Sequence, residues 1–353
     1  MTDLDPRALR AFVLAMPKAE LHLHLDGSLR VETALDIART RGLDAPSTYQ
    51  GMRSVLVGPE RADDQAQLLL AFDLPIELMQ DAEAIERTAA DLVEDKAFDR
   101  VRYAEIRWAP LLHTARGLTG RQVVEAVARG AAQTARRYGV EVRLIATLMR
   151  SHDPEANLAF VRGLETHGIP DGLVAMDLAG QEARYPDPER HRAALELARA
   201  IGLHVTLHAG EWGGAAQVRR ALTVNPERIA HGPLAIDDAD LVRELVARGV
   251  WLDLCPTSNL QAGIVPSLAA HPLHRLLRAG VRVTLSTDDL TVSDVTLSEE
   301  YVRAVEQIGV SIPELWALDL AALDAAFCDE PTRSRLQAAF RTWGAGIPEL
   351  AQA

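Results

Sequence analysis

Short runs of apolar or alternating residues recur along the chain, separated by longer stretches whose apolar positions fall three and four residues apart. A two-residue period buries one face of a strand, and a 3.6-residue period buries one stripe of a helix, so the pattern reads as repeated strand–helix units. Eight strands are expected at 19–25, 101–108, 140–149, 172–178, 203–208, 228–231, 250–254 and 281–286. Amphipathic helices are expected between them, among others at 82–98, 121–137, 188–200 and 237–248. Eight strands alternating with helices predict an α/β fold, a (β/α)8 TIM barrel. An open doubly wound sheet fits less well, because no Gly-x-Gly-x-x-Gly loop follows the first strand.

The stretch 41–64 holds several Gly and Pro residues and is too long for a simple connection. With the apolar segment 68–78 behind it, the region 41–80 reads either as a helical lid inserted after the first strand or as a poorly ordered surface insertion. A helical segment is expected at 308–353, and the whole chain, 1–353, is taken as one domain.

Composition narrows the function. The chain has 353 residues, 48% hydrophobic and 25% charged, enough to bury a large core. Its net charge of −13 repels a polyphosphate backbone, and no basic stripe offsets it, so nucleic acid is not expected as a partner. No apolar run approaches the ~20 residues needed to span a bilayer, and residues 1–12 lack a signal-peptide pattern, so no membrane association and a cytoplasmic location are expected. Oligomeric state has no signature in the sequence. Cys255 and Cys328 are the only cysteines, so a disulfide framework or a cysteine zinc site cannot be assembled, and a metal would have to sit on histidines and carboxylates. Lys18 and Lys96 are the only lysines.

The polar residues of interest collect at the C-terminal ends of the expected strands, where barrel enzymes place their chemistry. In the first strand the two-residue period turns His22, His24 and Asp26 to one face. An isolated His-x-His often merely hydrogen-bonds, but burial in a barrel favours a metal. The fifth strand ends in His208-Ala209-Gly210-Glu211, adding an imidazole and a carboxylate. His204 shares the face of His208 and reads as a satisfied core histidine. The sixth strand ends in His231-Gly232, for which packing or helix capping is the bland alternative. After the eighth strand come Asp288 and Asp289, adjacent carboxylates that need a cation or hydrogen bonds to coexist, or that simply cap a helix. Together, three imidazoles and a carboxylate suit a single zinc with room for water. Barrel hydrolases with two metals bridge them through a modified lysine after the fourth strand; Asp177-Leu178-Ala179-Gly180-Gln181-Glu182 offers none.

The chain closely resembles the adenosine deaminase family. The resemblance rests on the run from Met16 to Ser28 containing His22-Leu23-His24, and on Met176-Asp177-Leu178-Ala179-Gly180-Gln181-Glu182 and His208-Ala209-Gly210-Glu211. It continues through Arg228-Ile229-Ala230-His231-Gly232, Cys255-Pro256-Thr257-Ser258-Asn259 and Ser286-Thr287-Asp288-Asp289, in the family's order between Pro17 and Tyr301. The resemblance implies one Zn2+ per subunit on His22, His24, His208 and Asp288. It implies Glu211 as the donor to a purine ring nitrogen and His231 as the group that orients or deprotonates the attacking water. By the same resemblance Asp289 meets the imidazole side of the purine, the Gly180 N–H its pyrimidine side, and Asp26 the 5′ end of the ribose. The implied reaction removes the 6-amino group of adenosine or 2′-deoxyadenosine.

Trp212 and Leu290 depart from the family's usual residues and are expected near the pocket rim, which puts the sugar end of the substrate in question. The alternatives are a deaminase of adenine, of adenosine monophosphate or of a 5′-modified nucleoside such as 6-aminodeoxyfutalosine, a barrel that binds nucleosides without turning them over, and a zinc phosphotriesterase or lactonase. Arg30, Arg107, Arg150 and Arg184 lie near expected strand ends, and Arg150 and Arg184 are the candidates for holding a 5′ extension.

Overall fold

The computed structural model describes residues 4–350. Eight parallel strands follow one another around a barrel: β1 (Lys18–His24), β2 (Val101–Trp108), β3 (Glu141–Met149), β4 (Leu173–Ala179), β5 (His204–Ala209), β6 (Arg228–His231), β7 (Trp251–Leu254) and β8 (Arg282–Leu285). The ring closes beyond the end of β8: His24 N donates to Asp288 O at 2.7 Å and Asp288 N donates to His22 O at 3.1 Å. The expected strands differ from these by at most two residues at an end.

Period-2 alternation sorts the barrel's contents. Along β1, Ala19, Leu21 and Leu23 join the apolar core shared with the surrounding helices, while Glu20, His22 and His24 take the opposite face. Helices cover the outside. Gly120–Tyr138 starts at a Thr119–Gln122 capping box and stops at Gly139 in the left-handed conformation. It meets Ala82–Phe98 so closely that a Cβ on Gly130 would lie 2.1 Å from Glu86 O. Helix Ile312–Ala325 packs on β8 and β1, and helix Glu330–Ala345 follows it in the expected C-terminal segment. Residues 1–3 and 351–353 fall outside the described part.

Between β1 and β2 the chain forms short helices at Val31–Arg41, Tyr49–Leu56, Gln65–Leu69, Leu70–Phe72 and Asp73–Leu78. The stretch expected to be irregular therefore contains a helix. Thr48 caps it by accepting from Gly51 N, and Met52 and Leu56 form its buried edge, a signal outweighed in the sequence by the neighbouring Gly and Pro. The expectation for His204 is also corrected. It sits at the N-terminal start of β5, exposed, stacked on Phe327 at 4.4 Å and 2.8 Å from Glu227, because the strand enters the barrel only after it.

Candidate metal and active site

At the C-terminal mouth of the barrel lies a cavity of about 340 Å³. His24, Asp26, Gly180, His208, Glu211, His231, Asp288 and Asp289 line it, with Gln65, Leu68, Leu69, Phe72 and Ile76 of the inserted helices on one side. His22 is buried at its base. All nine residues singled out from the sequence thus gather at one end of the barrel.

Four side-chain atoms converge. His24 Nε2 is 3.3 Å from His22 Nε2, 3.1 Å from His208 Nε2 and 3.3 Å from Asp288 Oδ1, and His22 Nε2 is 2.9 Å from the same oxygen. A tetrahedral zinc shell with bonds of ~2.0–2.1 Å sets its ligand atoms about 3.3–3.4 Å apart, close to this spacing. The donor chemistry fits as well. His208 Nδ1 donates to Asp177, 2.9 Å from Oδ2, which leaves its Nε2 as a lone pair facing His24. Burial holds His24 down at about 4 and keeps it neutral. Nε2 atoms that present lone pairs to one another at these distances repel unless a cation lies among them. His231 belongs to the same cluster, within 4.8 Å of His22, His208 and Asp288 through its ligand-type atom, but its Nε2 stands 3.7 Å from Asp288 Oδ2.

Backbone turns aim two of these groups. Arg228 points into the barrel and Ile229 outward, so simple alternation would direct His231 away from the mouth; its left-handed φ of 67° turns the ring inward, 4.8 Å from that of His22. Asp288 has φ 71°. Non-glycine residues in this region carry strain that the surrounding packing must hold. Ser258 Oγ donates to Asp288 Oδ2 at 2.7 Å and fixes the carboxylate.

Two carboxyls facing the cavity are pushed toward their neutral forms. Burial, followed by Asp288 and Glu182, pushes Glu211 well above the ordinary glutamate range. Burial, then Asp288, Asp26 and Glu211, does the same to Asp289. Asp289 Oδ1 is buried without a hydrogen-bond partner, and it lies so close to Gly27 that a Cβ there would overlap it at 1.6 Å. Gly180, with φ 109°, directly follows β4 at the cavity edge.

The family model described as "Adenosine deaminase" matches residues 17–343. The chain belongs to the adenosine deaminase family. An adenosine deaminase of Clostridium perfringens is 36% identical over 328 residues, 92% of this chain and 98% of that one. Among solved structures, adenine deaminase from Arthrobacter aurescens has a TM-score of 0.86 at 28% identity, covering 93% of this chain and 99% of its own. An amidohydrolase from Burkholderia ambifaria with bound Zn has a TM-score of 0.87 at 26% identity, covering 97% of this chain and 94% of its own. The N6-mAMP deaminase of Arabidopsis has 0.82 at 29% identity over 94% and 99%. Like other adenosine deaminase family members, the protein is a hydrolase acting on carbon–nitrogen bonds, with a His/Asp cluster able to bind a metal.

The four arginines expected near strand ends are engaged elsewhere. Arg30 pairs with Asp91, Glu94 and Asp95; Arg107 lies 3.7 Å from both Asp177 and Asp253; Arg150 donates to His208 O at 2.8 Å; and Arg184 is exposed beside Tyr185. None lines the cavity. Trp212 and Leu290 do not line it either: Trp212 packs with Ala62, Leu68, Ala71 and Val292 against the inserted helices, and Leu290 joins the main core. Both lysines are also tied down, Lys96 to Glu20 at 2.7 Å and Lys18 to Met16 O and Asp99 O. Sequence reasoning did not single out Asp177, Ser258, Asn259 or His271 as supporting residues. The first three lie inside the quoted motifs, and His271 carries no local signal.

Proposed function

We propose that this cavity hydrolyses the 6-amino group of adenosine or 2′-deoxyadenosine, giving inosine or 2′-deoxyinosine and ammonia, with one Zn2+ held by His22, His24, His208 and Asp288. The observation that carries the reading is the convergence of three imidazole nitrogens and a carboxylate oxygen beside the buried Glu211, whose carboxyl burial raises well above the ordinary glutamate range. The chemistry a divalent metal held by these four residues would supply is a hydroxide-like nucleophile near neutral pH. Glu211 donates its proton to the ring nitrogen next to the attacked carbon, so that the electron pair displaced from the ring is neutralised as the new C–O bond forms. Asp289, with its carboxyl raised by burial and an unpartnered buried oxygen, meets the imidazole side of the purine, and the Gly180 N–H meets its pyrimidine side. Asp26 takes the 5′ end of the ribose. Phe72, Leu68 and Ile76 of the inserted helices act as a lid that excludes bulk water from the ring.

The lining argues against a nucleotide. Among the described residues it holds no Arg or Lys, while Asp26, Asp73 and Asp289 contribute carboxyls, so a 5′-phosphate would meet no compensating cation. Adenine is the second reading, favoured by the likeness to the Arthrobacter adenine deaminase. The test is ammonia release from zinc-loaded protein supplied with adenosine, 2′-deoxyadenosine, adenine, adenosine monophosphate or 6-aminodeoxyfutalosine. Adenosine or its deoxy form is expected to give the highest kcat/KM, and Glu211→Gln to lose about 10²–10⁴-fold in kcat. A Glu211→Gln enzyme turning over at the wild-type rate would contradict the assignment.

A further inference from the structure

A chain of hydrogen bonds runs from a backbone amide to the His231 ring. Leu273 opens the short helix Leu273–Arg278, and its N–H donates to His271 Nδ1 at 3.2 Å. A backbone N–H can only donate, so His271 Nδ1 must accept and the proton of this neutral ring sits on Nε2. His271 Nε2 is 3.1 Å from Asn259 Oδ1, which accepts it and fixes the amide's orientation. Asn259 Nδ2 then faces His231 Nδ1 at 3.1 Å and donates. His271, Asn259 and His231 are all buried, so water does not compete for these contacts.

We propose that Asn259 and His271 are positioning residues that lock His231 in the tautomer carrying its proton on Nε2, so that this ring presents a hydrogen-bond donor to the attacking oxygen rather than a base; Nε2 stands 3.7 Å from Asp288 Oδ2, beyond hydrogen-bond distance. With Nε2 protonated and Nδ1 occupied by the Asn259 amide, neither nitrogen offers a free lone pair to take a proton. His208 shows the opposite arrangement on the neighbouring strand: its Nδ1 donates to the acceptor Asp177, leaving Nε2 free for a metal. Two imidazoles with ring centroids 5.3 Å apart are thus set to opposite tautomers, one by a carboxylate and the other by an amide. This assignment refines the role of His231 within the proposed deamination and rests on that reading only for its effect on turnover.

The experiment is long-range 1H–15N correlation NMR on protein labelled at histidine, with the His231 signals identified by their loss in His231→Gln. Wild-type protein is expected to show an unprotonated Nδ1 and a protonated Nε2 at His231. Asn259→Asp keeps the shape but replaces the donor with an acceptor, so a proton should appear on Nδ1. Turnover per bound metal should fall about 10–100-fold, with KM changed less than about two-fold. His271→Gln, whose amide can still donate to Asn259, should restore much of what His271→Leu loses. A wild-type His231 protonated on Nδ1 overturns the proposal, as does an Asn259→Asp enzyme with wild-type kcat. The tautomer is read without substrate, so a failure of adenosine to react would count against the proposed function and leave this readout intact.

Discussion

Two clusters of buried polar groups share the barrel interior, and they are built on opposite principles. In the lower one, Arg228 pairs with Glu105 and stands 3.2 Å from Asp253, while Arg107 lies between Asp177 and Asp253. Tyr103, Thr284 and the Phe327 N–H supply further donors to the carboxylates. Each carboxylate there has a guanidinium within the cluster. At the mouth, four imidazole rings surround Asp288, and no Lys or Arg side chain lines the cavity beside it. Burial alone therefore does not mark a site. What marks it is the kind of group that faces the carboxylate: in the lower cluster each carboxylate faces a guanidinium, and in the upper one imidazole nitrogens gather around Asp288.

Substitutions should separate the two. The largest effect is expected for His208→Ala, which should reduce bound metal well below stoichiometric amounts and drop ammonia release to background; elemental analysis with a turnover assay measures both. In the lower cluster, Arg228→Met leaves Glu105 buried without its cation and Asp253 with only Arg107, 3.7 Å away, and should destabilise the fold by about 3–5 kcal/mol. Its bound metal should remain stoichiometric, and urea unfolding followed by circular dichroism reads the loss. If Arg228→Met released the metal while keeping its urea midpoint, the division between the clusters would be wrong.

Asp177 touches both clusters, accepting from His208 above and lying 3.7 Å from Arg107 below. Asp177→Asn preserves its shape but weakens the hold on the His208 tautomer. Metal affinity should fall about 10–100-fold, as measured by competition with a chelating dye. The smallest effect concerns pH. Burial raises Glu300 to about 7, so the folded chain keeps this proton where the unfolded chain has released it. Its contribution to stability is therefore complete below the unfolded value near 4.5 and lost as pH rises through about 7. Glu300→Gln cannot ionise, so its melting temperature relative to wild type should climb between about pH 5 and about pH 8. A constant difference across that range would remove Glu300 from the account.

Much of this was legible in the sequence for a simple reason. Strand periodicity and the clustering of His22, His24, His208 and Asp288 at strand ends depend on local residue order, which the chain displays directly. What stayed hidden depends on three-dimensional neighbours. The left-handed turn that swings His231 inward is not implied by alternation, which points the ring outward. His271 reaches the site only because it meets Asn259 from another segment. The helix Tyr49–Leu56 was masked by the glycines and prolines around it, and His204 was placed inside the core because strand periodicity does not say where a strand enters the barrel.

The most direct test of the central claim is X-ray diffraction recorded on both sides of the zinc absorption edge from crystals of the zinc-loaded protein. The account predicts one anomalous peak at about 2.0–2.3 Å from His22 Nε2, His24 Nε2, His208 Nε2 and an Asp288 oxygen. A peak elsewhere, two bridged peaks, or no peak among these four groups would contradict it.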